Sequence, residues 1–567
     1  MSKKIIYSNK RSVVKKHHFA TFLLISILFL AFLARFFHLD EAPPGVWYDE
    51  AYNGWDAWRA NQQGWQIFYP ENYGREGLFI NLIAFLFKIT NRVNTVLLRV
   101  PGALIGFLTV PGFYLLLRKF RLSRPTALLA TFALAVSFYH LNFSRIAFRA
   151  IMVPFLLVWS FYFFFRGWRL LKINRGHQLD WRAYFNFFLA GALTGLGLHT
   201  YIAYRVVPLI FLLITPVLLS TGKLARFKYW KSALSFLVGA LVTAAPLFLY
   251  FYQHPAAFSG RANTVSVFNV SDLSPAQAML KSLFYHLQSI FFVGDQNQRH
   301  NYRGFPLLPA VWALFFLVGF IISWREIILA LTKKRRALFW PAFWAQVVFW
   351  VMLIPGILSL QGIPHFLRII GIIPAIFLLL VLPFEYFYRL YRQMQNFAAD
   401  KLKPHRWQTT KLAAAGLLIT FLLTGFSQLY LYFRLWAQDP STAAAFQRDW
   451  TELGKFIKYQ PTTPENYLIL PAQINLSSTN YADLPEKTLL FTALPTIQNY
   501  LIYTEKDADK IIEKINCSQA QIILHPTVQQ QTIEILNNYC RNLHWQKIIL
   551  PNQQTVNLLR ENKEPEH

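Results

Sequence analysis

Apolar runs long enough to cross a bilayer recur along the chain as far as residue 431 and then stop. A hydrocarbon core asks for roughly 18 to 22 predominantly apolar residues per helical crossing. Candidate segments fall near 19–37, 99–117, 125–142, 150–166, 184–201, 206–220, 232–252, 305–323, 338–358, 369–387 and 412–431, about eleven in all. Hydrophobic residues make up 54% of the 567 positions and charged ones 15%, the profile of a membrane protein. The fold class expected is therefore a polytopic α-helical membrane protein. The first run follows Lys3, Lys4, Lys10, Arg11, Lys15 and Lys16, as a signal sequence would, but it is too long for an h-region and lacks a small-residue cleavage site. It reads as a retained anchor.

One apolar piece, Gly77 to Thr90 (GLFINLIAFLFKIT), is too short to be assigned by hydropathy, and charge parity assigns it instead. If it does not cross, Arg118-Lys119-Phe120-Arg121 with Arg124, the stretch from Arg166 to Arg175, Lys223 to Lys231, Lys333-Lys334-Arg335-Arg336, and Arg389 to Lys411 all lie with the amino terminus in the cytoplasm. If it crosses, every one of these basic loops faces outward, against the positive-inside bias. We read 77–90 as juxtamembrane, lying along the outer surface. The segments 38–98, 143–149, 201–205, 253–304 and 361–368, with the tail from 432, are then extracytoplasmic, and the protein is a multi-pass component of the plasma membrane.

The tail has charges at ordinary soluble density and alternates helical and apolar stretches: helix over 441–459, strand over 466–471, helix over 507–515, strand over 521–524, helix over 527–540 and strand over 546–550. That alternation predicts a small α/β domain. It contains no GxGxxG or GxxxxGK[ST], so no nucleotide cofactor is expected, and its role is support or substrate contact. The two cysteines, Cys517 and Cys540, both lie here and are able to pair outside the cytoplasm. The net charge of +29 belongs to the membrane part, where basic residues set topology and meet anionic lipid. No recognition module accompanies it, so nucleic acid is not a partner.

Acid is scarce, Asp+Glu 27 against Lys+Arg 56, yet Asp40, Glu41, Asp49, Glu50, Asp56, Glu71 and Glu76 crowd into the first outer loop. Only six more acidic residues lie between there and residue 431. An isolated Asp49-Glu50 pair would be a surface pair or a helix cap, and arginines at span ends ordinarily snorkel to the interface. The concentration of acid in one loop, facing cations on several others, points to a site. Asp49, Glu50 and Glu76 are the catalytic candidates, since a carboxylate near apolar walls can take a proton from a hydroxyl. Arg145, Arg149, Arg205, Arg303 and Arg368 are candidates for neutralising a departing phosphate. Tyr48, Tyr52, Asn53, His199, Tyr201, Asp295, His300 and His365 are candidates for substrate contact. Asp49 and Glu76 are also candidate ligands for a hard divalent cation of the Mg or Mn type, although no metal-binding spacing marks them.

An N-terminal span followed by Tyr48-Asp49-Glu50-Ala51-Tyr52, then GREGLFINLIAFLFKI and LLRVPGALIGFLTVPGFYLLLRKF, resembles the membrane glycosyltransferases of the GT-C fold. The branch it is most similar to is the dolichyl-phosphate-mannose protein mannosyltransferase and lipid A aminoarabinose transferase superfamily. The resemblance is strongest over 20–210, loosens toward 370 and does not reach the tail. It implies an enzyme that transfers a hexosyl or pentosyl group, with inversion, from a polyprenyl-phosphate donor to a lipid, glycan or protein acceptor on the outer face. It maps the general base to Asp49, with Glu50 beside it, and a second acidic position to Glu76. Glu76-Gly77-Leu78 departs from the aminoarabinose branch, which has a Pro-Pro-Leu type segment there. A transporter or flippase of lipid-linked sugars is the alternative. The absence of charge from span centres and of internal repeats speaks against it. A mere anchor for the tail would not need so many spans.

Overall fold

The computed structural model describes residues 2–173, 180–221, 226–258, 260, 266–268, 273–333, 337–397, 404–461, 463–473, 486–507, 515, 517, 519–541 and 543–560. The basic residues Lys223, Lys334, Arg335 and Arg336, and most of the helix expected over 507–515, lie outside these. The chain divides into two compact units. Unit 1 comprises residues 1–37, 76–79 and 100–436, and unit 2 comprises 38–75, 80–99 and 437–567.

Unit 1 is helical. Its described helices begin with α1 (Ser2–Phe36), α4 (Thr95–Lys119), α5 (Arg124–Val136), α6 (Phe138–Arg145), α7 (Met152–Ile173), α8 (Trp181–Gly197), α9 (Val207–Thr221) and α10 (Arg226–Gln253). Helices Pro275–Gln288, Ala310–Thr332, Phe339–Ile357, Ile373–Phe397 and Pro404–Tyr430 follow. Nine stretches among the described residues are long and apolar enough to cross a membrane, and the α5–α6 pair, bent by 52° at Ser137, makes a tenth. α8 is 17 residues long and packs along both α7 and α10. Counting it gives a helix for each of the eleven expected spans.

The packing of α8 on α10 follows from small residues. Gly191 and Gly195 stand four apart on α8, and a Cβ on them would collide with the carbonyl oxygens of Phe236 and Ala240. From the other side, a Cβ on Gly239 would collide with the Phe188 carbonyl. Glycine on both helices lets the backbones approach, the small-xxx-small geometry by which membrane helices associate where lipid is as apolar as leucine. The Thr243 hydroxyl, donating to the Ala192 carbonyl at 2.8 Å, adds an interhelical hydrogen bond.

Unit 2 joins the first loop to the tail. It contains α2 (Tyr48–Gln63), the two-residue strand β1 (Phe68–Tyr69), most of α3 (Leu78–Thr90) and a five-stranded sheet. The sheet order is β4 (Tyr500–Thr504), β3 (Glu465–Leu470), β5 (Ala520–Leu524), β7 (Thr555–Arg560), β6 (His544–Ile549). β4, β3 and β5 run parallel, and β7 and β6 add an antiparallel hairpin. β3 and β5 are almost wholly buried, as parallel strands covered on both faces are. A disulfide joins Cys517 to Cys540, tying the segment before β5 to the end of helix Gln530–Tyr539.

The helix expected over 441–459 is broken into Pro440–Ala445 and Arg448–Lys458, because Gln447 adopts a left-handed φ of 52°. Strands β4 and β7 and helix Glu486–Thr492 were not foreseen. The boundary expected at 431/432 falls at 436/437, and most of the first outer loop groups with the tail. The Val46 N–H donates to the Thr451 hydroxyl (2.9 Å), and the Thr488 hydroxyl donates to the Val46 carbonyl (3.0 Å). A Cβ on Gly54 of α2 would strike the Phe491 ring. α3 is 13 residues long and lies within this assembly: Asn61 donates to the Ala84 carbonyl (2.8 Å), and Phe87 stacks on Phe491 at 6.4 Å. It therefore packs alongside loop and tail residues of this unit.

Candidate functional site

Within unit 2 the acids of the first loop find different partners. Asp49 and Glu50 occupy the first turn of α2, where carboxylates favour the positive end of the helix dipole. Glu50 is fully buried and gripped by Arg99, with Oε2 at 3.0 Å from Nε and Oε1 at 3.1 Å from Nη2. Asp56 lies between Arg59, at 2.5 Å, and Arg75, which also donates to the Asn53 Oδ1 at 2.9 Å. Glu71 takes the second bond from Arg59, at 2.5 Å. Asp49 differs: its carboxylate accepts from the neutral Asn72 amide at 2.5 Å and makes no ion pair among the described residues. It is half-buried. Asn72 reaches it because Asn72, Tyr73 and Gly74 take successive φ values of 49°, 61° and 80°, a reversal that turns the chain back toward α2. Tyr52 carries the Arg75 guanidinium at 5.5 Å and the Lys487 ammonium at 5.3 Å over its ring, while Tyr48 meets Trp47 edge-on at 5.4 Å.

Within unit 1, Glu76 is buried with Oε2 at 3.3 Å from Arg149 Nε and Oε1 at 3.5 Å from Arg205 Nη2. These are ion-pair distances, longer than the 2.7–2.9 Å of a charge-assisted hydrogen bond. Two guanidiniums against one carboxylate leave the group net positive. Arg149 lies over the Tyr201 ring at 5.6 Å, and Arg205 lies over Phe258 at 4.5 Å while donating to its carbonyl at 2.8 Å. His199 pairs its Nε2 with the Thr243 carbonyl at 2.8 Å. Glu76, Arg149, Arg205, His199 and Tyr201, from three separate sequence clusters, thus belong to one neighbourhood.

The other expected cations do not converge there. Arg145 is fully buried, donates to the Ala34 and Phe37 carbonyls at 2.8 and 2.7 Å, and lies over Tyr432 and Phe433. Arg368 donates to the Gln361 carbonyl at 2.6 Å, and Arg303 sits on an exposed turn with φ of 45°. Asp295, His300 and His365 form a cluster of their own. Asp49 and Glu76, the candidates for a shared cation, fall in different units, and among the described residues neither joins a group of three metal-ligating side chains. Sequence reasoning missed Arg99, Arg75 and Asn72. The signal available for Arg99 was its place in LLRVPG at the head of a span, which reads equally well as a snorkelling cation.

Residues 73–259 match the family model of dolichyl-phosphate-mannose-protein mannosyltransferase. The match bears out the resemblance read from the sequence and encloses Glu76, Arg149, His199, Tyr201 and Arg205. No curated protein matches the chain in sequence. Similar solved structures include ArnT from Cupriavidus metallidurans in the apo state, at 12% identity and a TM-score of 0.47, covering 96% of this chain and 98% of that one. The Archaeoglobus fulgidus oligosaccharyltransferase, in complex with Zn and sulfate, aligns at 13% identity and a TM-score of 0.46, covering 94% and 72%. The S. cerevisiae protein O-mannosyltransferase Pmt1-Pmt2 complex bound to the sugar donor aligns at 18% identity and a TM-score of 0.34, covering 45% of this chain and 36% of that one.

Proposed function

We propose that the chain transfers a sugar from a polyprenyl-phosphate donor to an acceptor hydroxyl or amine on the extracytoplasmic face, with inversion. The observation that carries this reading is the buried Glu76 held between Arg149 and Arg205, a net-positive group inside the mannosyltransferase-type segment. A guanidinium presents a planar fork suited to phosphate oxygens. The donor's leaving group is already an anion, so it needs charge neutralisation more than a proton. Asp49 is the general base. Its carboxylate takes the acceptor proton as the acceptor atom bonds to the anomeric carbon, and the anomeric carbon–oxygen bond to the phosphate breaks, releasing polyprenyl phosphate. Among the described residues Asp49 has the neutral partner Asn72 and no ion pair, whereas Glu50 is committed to Arg99 and holds the loop in place.

The basic short loops support an extracytoplasmic assignment for the first loop and tail. The Cys517–Cys540 disulfide supports it too, since such bonds persist in oxidising compartments. The sugar is a hexosyl or pentosyl group and the acceptor a lipid, glycan or protein. The test is transfer from a radiolabelled lipid-linked donor by Asp49→Asn protein. Loss of a general base lowers turnover by roughly 10²–10⁴-fold, and unchanged turnover would remove Asp49 from the mechanism.

A further inference from the structure

Unit 1 holds a second polar cluster that the transfer reaction does not use. Asp295 and His300 are each 2% exposed, His365 is half-buried, and each offers one ligand atom, all within 4.8 Å of one another. The carboxylate is fixed in place: Oδ1 accepts from the Asn297 N–H at 2.8 Å, and Oδ2 accepts from the Phe366 N–H at 2.8 Å and lies 3.0 Å from His300 Nδ1. The loop that carries it is closed by the Gly294 N–H on the Gly304 carbonyl (2.9 Å) and by the Asn301 amide on the carbonyls of Asp295 and Phe305 (3.0 and 2.7 Å). The His300 and His365 rings are 4.8 Å apart at 46°. His286 adjoins the cluster but is spent on it: Nε2 accepts from the His365 N–H at 3.2 Å, and Nδ1 pairs with the Ser282 carbonyl at 2.8 Å.

We propose that Asp295, His300 and His365 bind one divalent transition-metal ion of the zinc class, linking the 294–305 loop to the 361–369 segment. The donor set decides the class. Two imidazoles and one carboxylate suit zinc and its neighbours, whereas Mg and Mn favour all-oxygen shells. Tetrahedral bonds of about 2.0–2.1 Å place ligand atoms about 3.4 Å apart, so the cluster closes by about 1.5 Å on binding. His365, half-buried on a non-helical segment, is the member with room to move. Asp295 Oδ2 and His300 Nδ1 already stand 3.0 Å apart, close to that ligand–ligand separation. Three protein ligands leave a fourth position for a non-protein ligand. This assignment stands whether or not the chain transfers sugar.

The test uses full-length, tag-free protein in detergent, stripped with a chelator and titrated with Zn²⁺ against a chromophoric competitor and separately with Co²⁺. The expected result is one ion per chain, a visible d–d band with Co²⁺, and a rise in melting temperature with Zn²⁺. His365→Ala and His300→Gln each lower affinity by at least about 100-fold and abolish the band. Equal melting temperatures of the stripped wild type and variants show that the variants fold. Absence of stoichiometric binding to the wild type overturns the proposal without reference to any variant. Wild-type affinity in both variants overturns it as well.

Discussion

Arg99 and Glu50 form a fully buried, two-pronged ion pair, and the same guanidinium donates to the carbonyls of Leu39 and Pro43, each at 3.0 Å, and of Gly45. One side chain therefore fixes the path from the end of α1 to the start of α2, and with it the position of Asp49. Arg99→Ala strands a buried carboxylate, which costs roughly 3–5 kcal/mol. Arg99→Lys recovers little, because an ammonium cannot fork onto both oxygens and three carbonyls. Thermal unfolding in detergent, with limited proteolysis mapped to 38–48, measures both; wild-type melting of Arg99→Lys would refute the role.

The Glu76 group predicts effects of opposite sign. Arg149→Ala removes a buried cation and lowers kcat/KM for the lipid-linked donor by about 10²-fold, in line with the loss of one electrostatic stabiliser. Glu76→Gln removes the anion that competes with phosphate for the two arginines and lowers the KM for donor. Steady-state kinetics across donor concentration separates the two. A higher donor KM in Glu76→Gln would contradict the phosphate assignment.

The α8–α10 contact predicts a sharp steric response. Gly195→Leu forces the helices apart and costs on the order of 1–3 kcal/mol or more. Gly416→Ala, at a position where a Cβ would meet nothing within 4 Å, is the matched control and leaves stability unchanged. Melting temperatures in one detergent decide it.

In unit 2, His525 stacks on Trp450 at 4.2 Å, and burial depresses its pKa from 6.5 to about 4. The folded protein thus resists protonation that the unfolded chain accepts. Its contribution is complete above pH 6.5 and is lost as pH falls from there through about 4, up to roughly 3 kcal/mol in all. Hydrogen exchange of the β5 peptide, 520–524, should accelerate between pH 6.5 and 4.5 after correction for intrinsic rates, and His525→Gln should flatten that dependence. Parallel profiles for the two proteins would count against His525.

The spans were legible because lipid imposes length and apolarity locally, so a window of twenty residues contains the whole signal. Charge parity gives its expectation for α3 for a related reason: each basic loop reports its side independently. The tail strands β3, β5 and β6 were legible as short apolar runs, while the break at Gln447 was not, since nothing in Phe446-Gln447-Arg448 announces a left-handed residue. The site was legible only in part. Glu76, Arg149 and Arg205 could be proposed because cations on several loops faced acid on one. The partner of Glu50 could not, because Arg99 lies 49 residues away and its role depends on carbonyls that only the folded loop presents.

The union of first loop and tail has a further consequence, for synthesis. Val46 is hydrogen-bonded to Thr451 and Thr488, partners 405 and 442 residues later in the chain. The segment that bears Asp49 emerges early and must wait, across the insertion of every later span, for the residues that complete its packing. Loop closure over such separations is entropically costly and slow. The proposed base is thus among the last parts of the molecule to be set in place, so a chain stalled or clipped before residue 451 has its spans but no finished first loop.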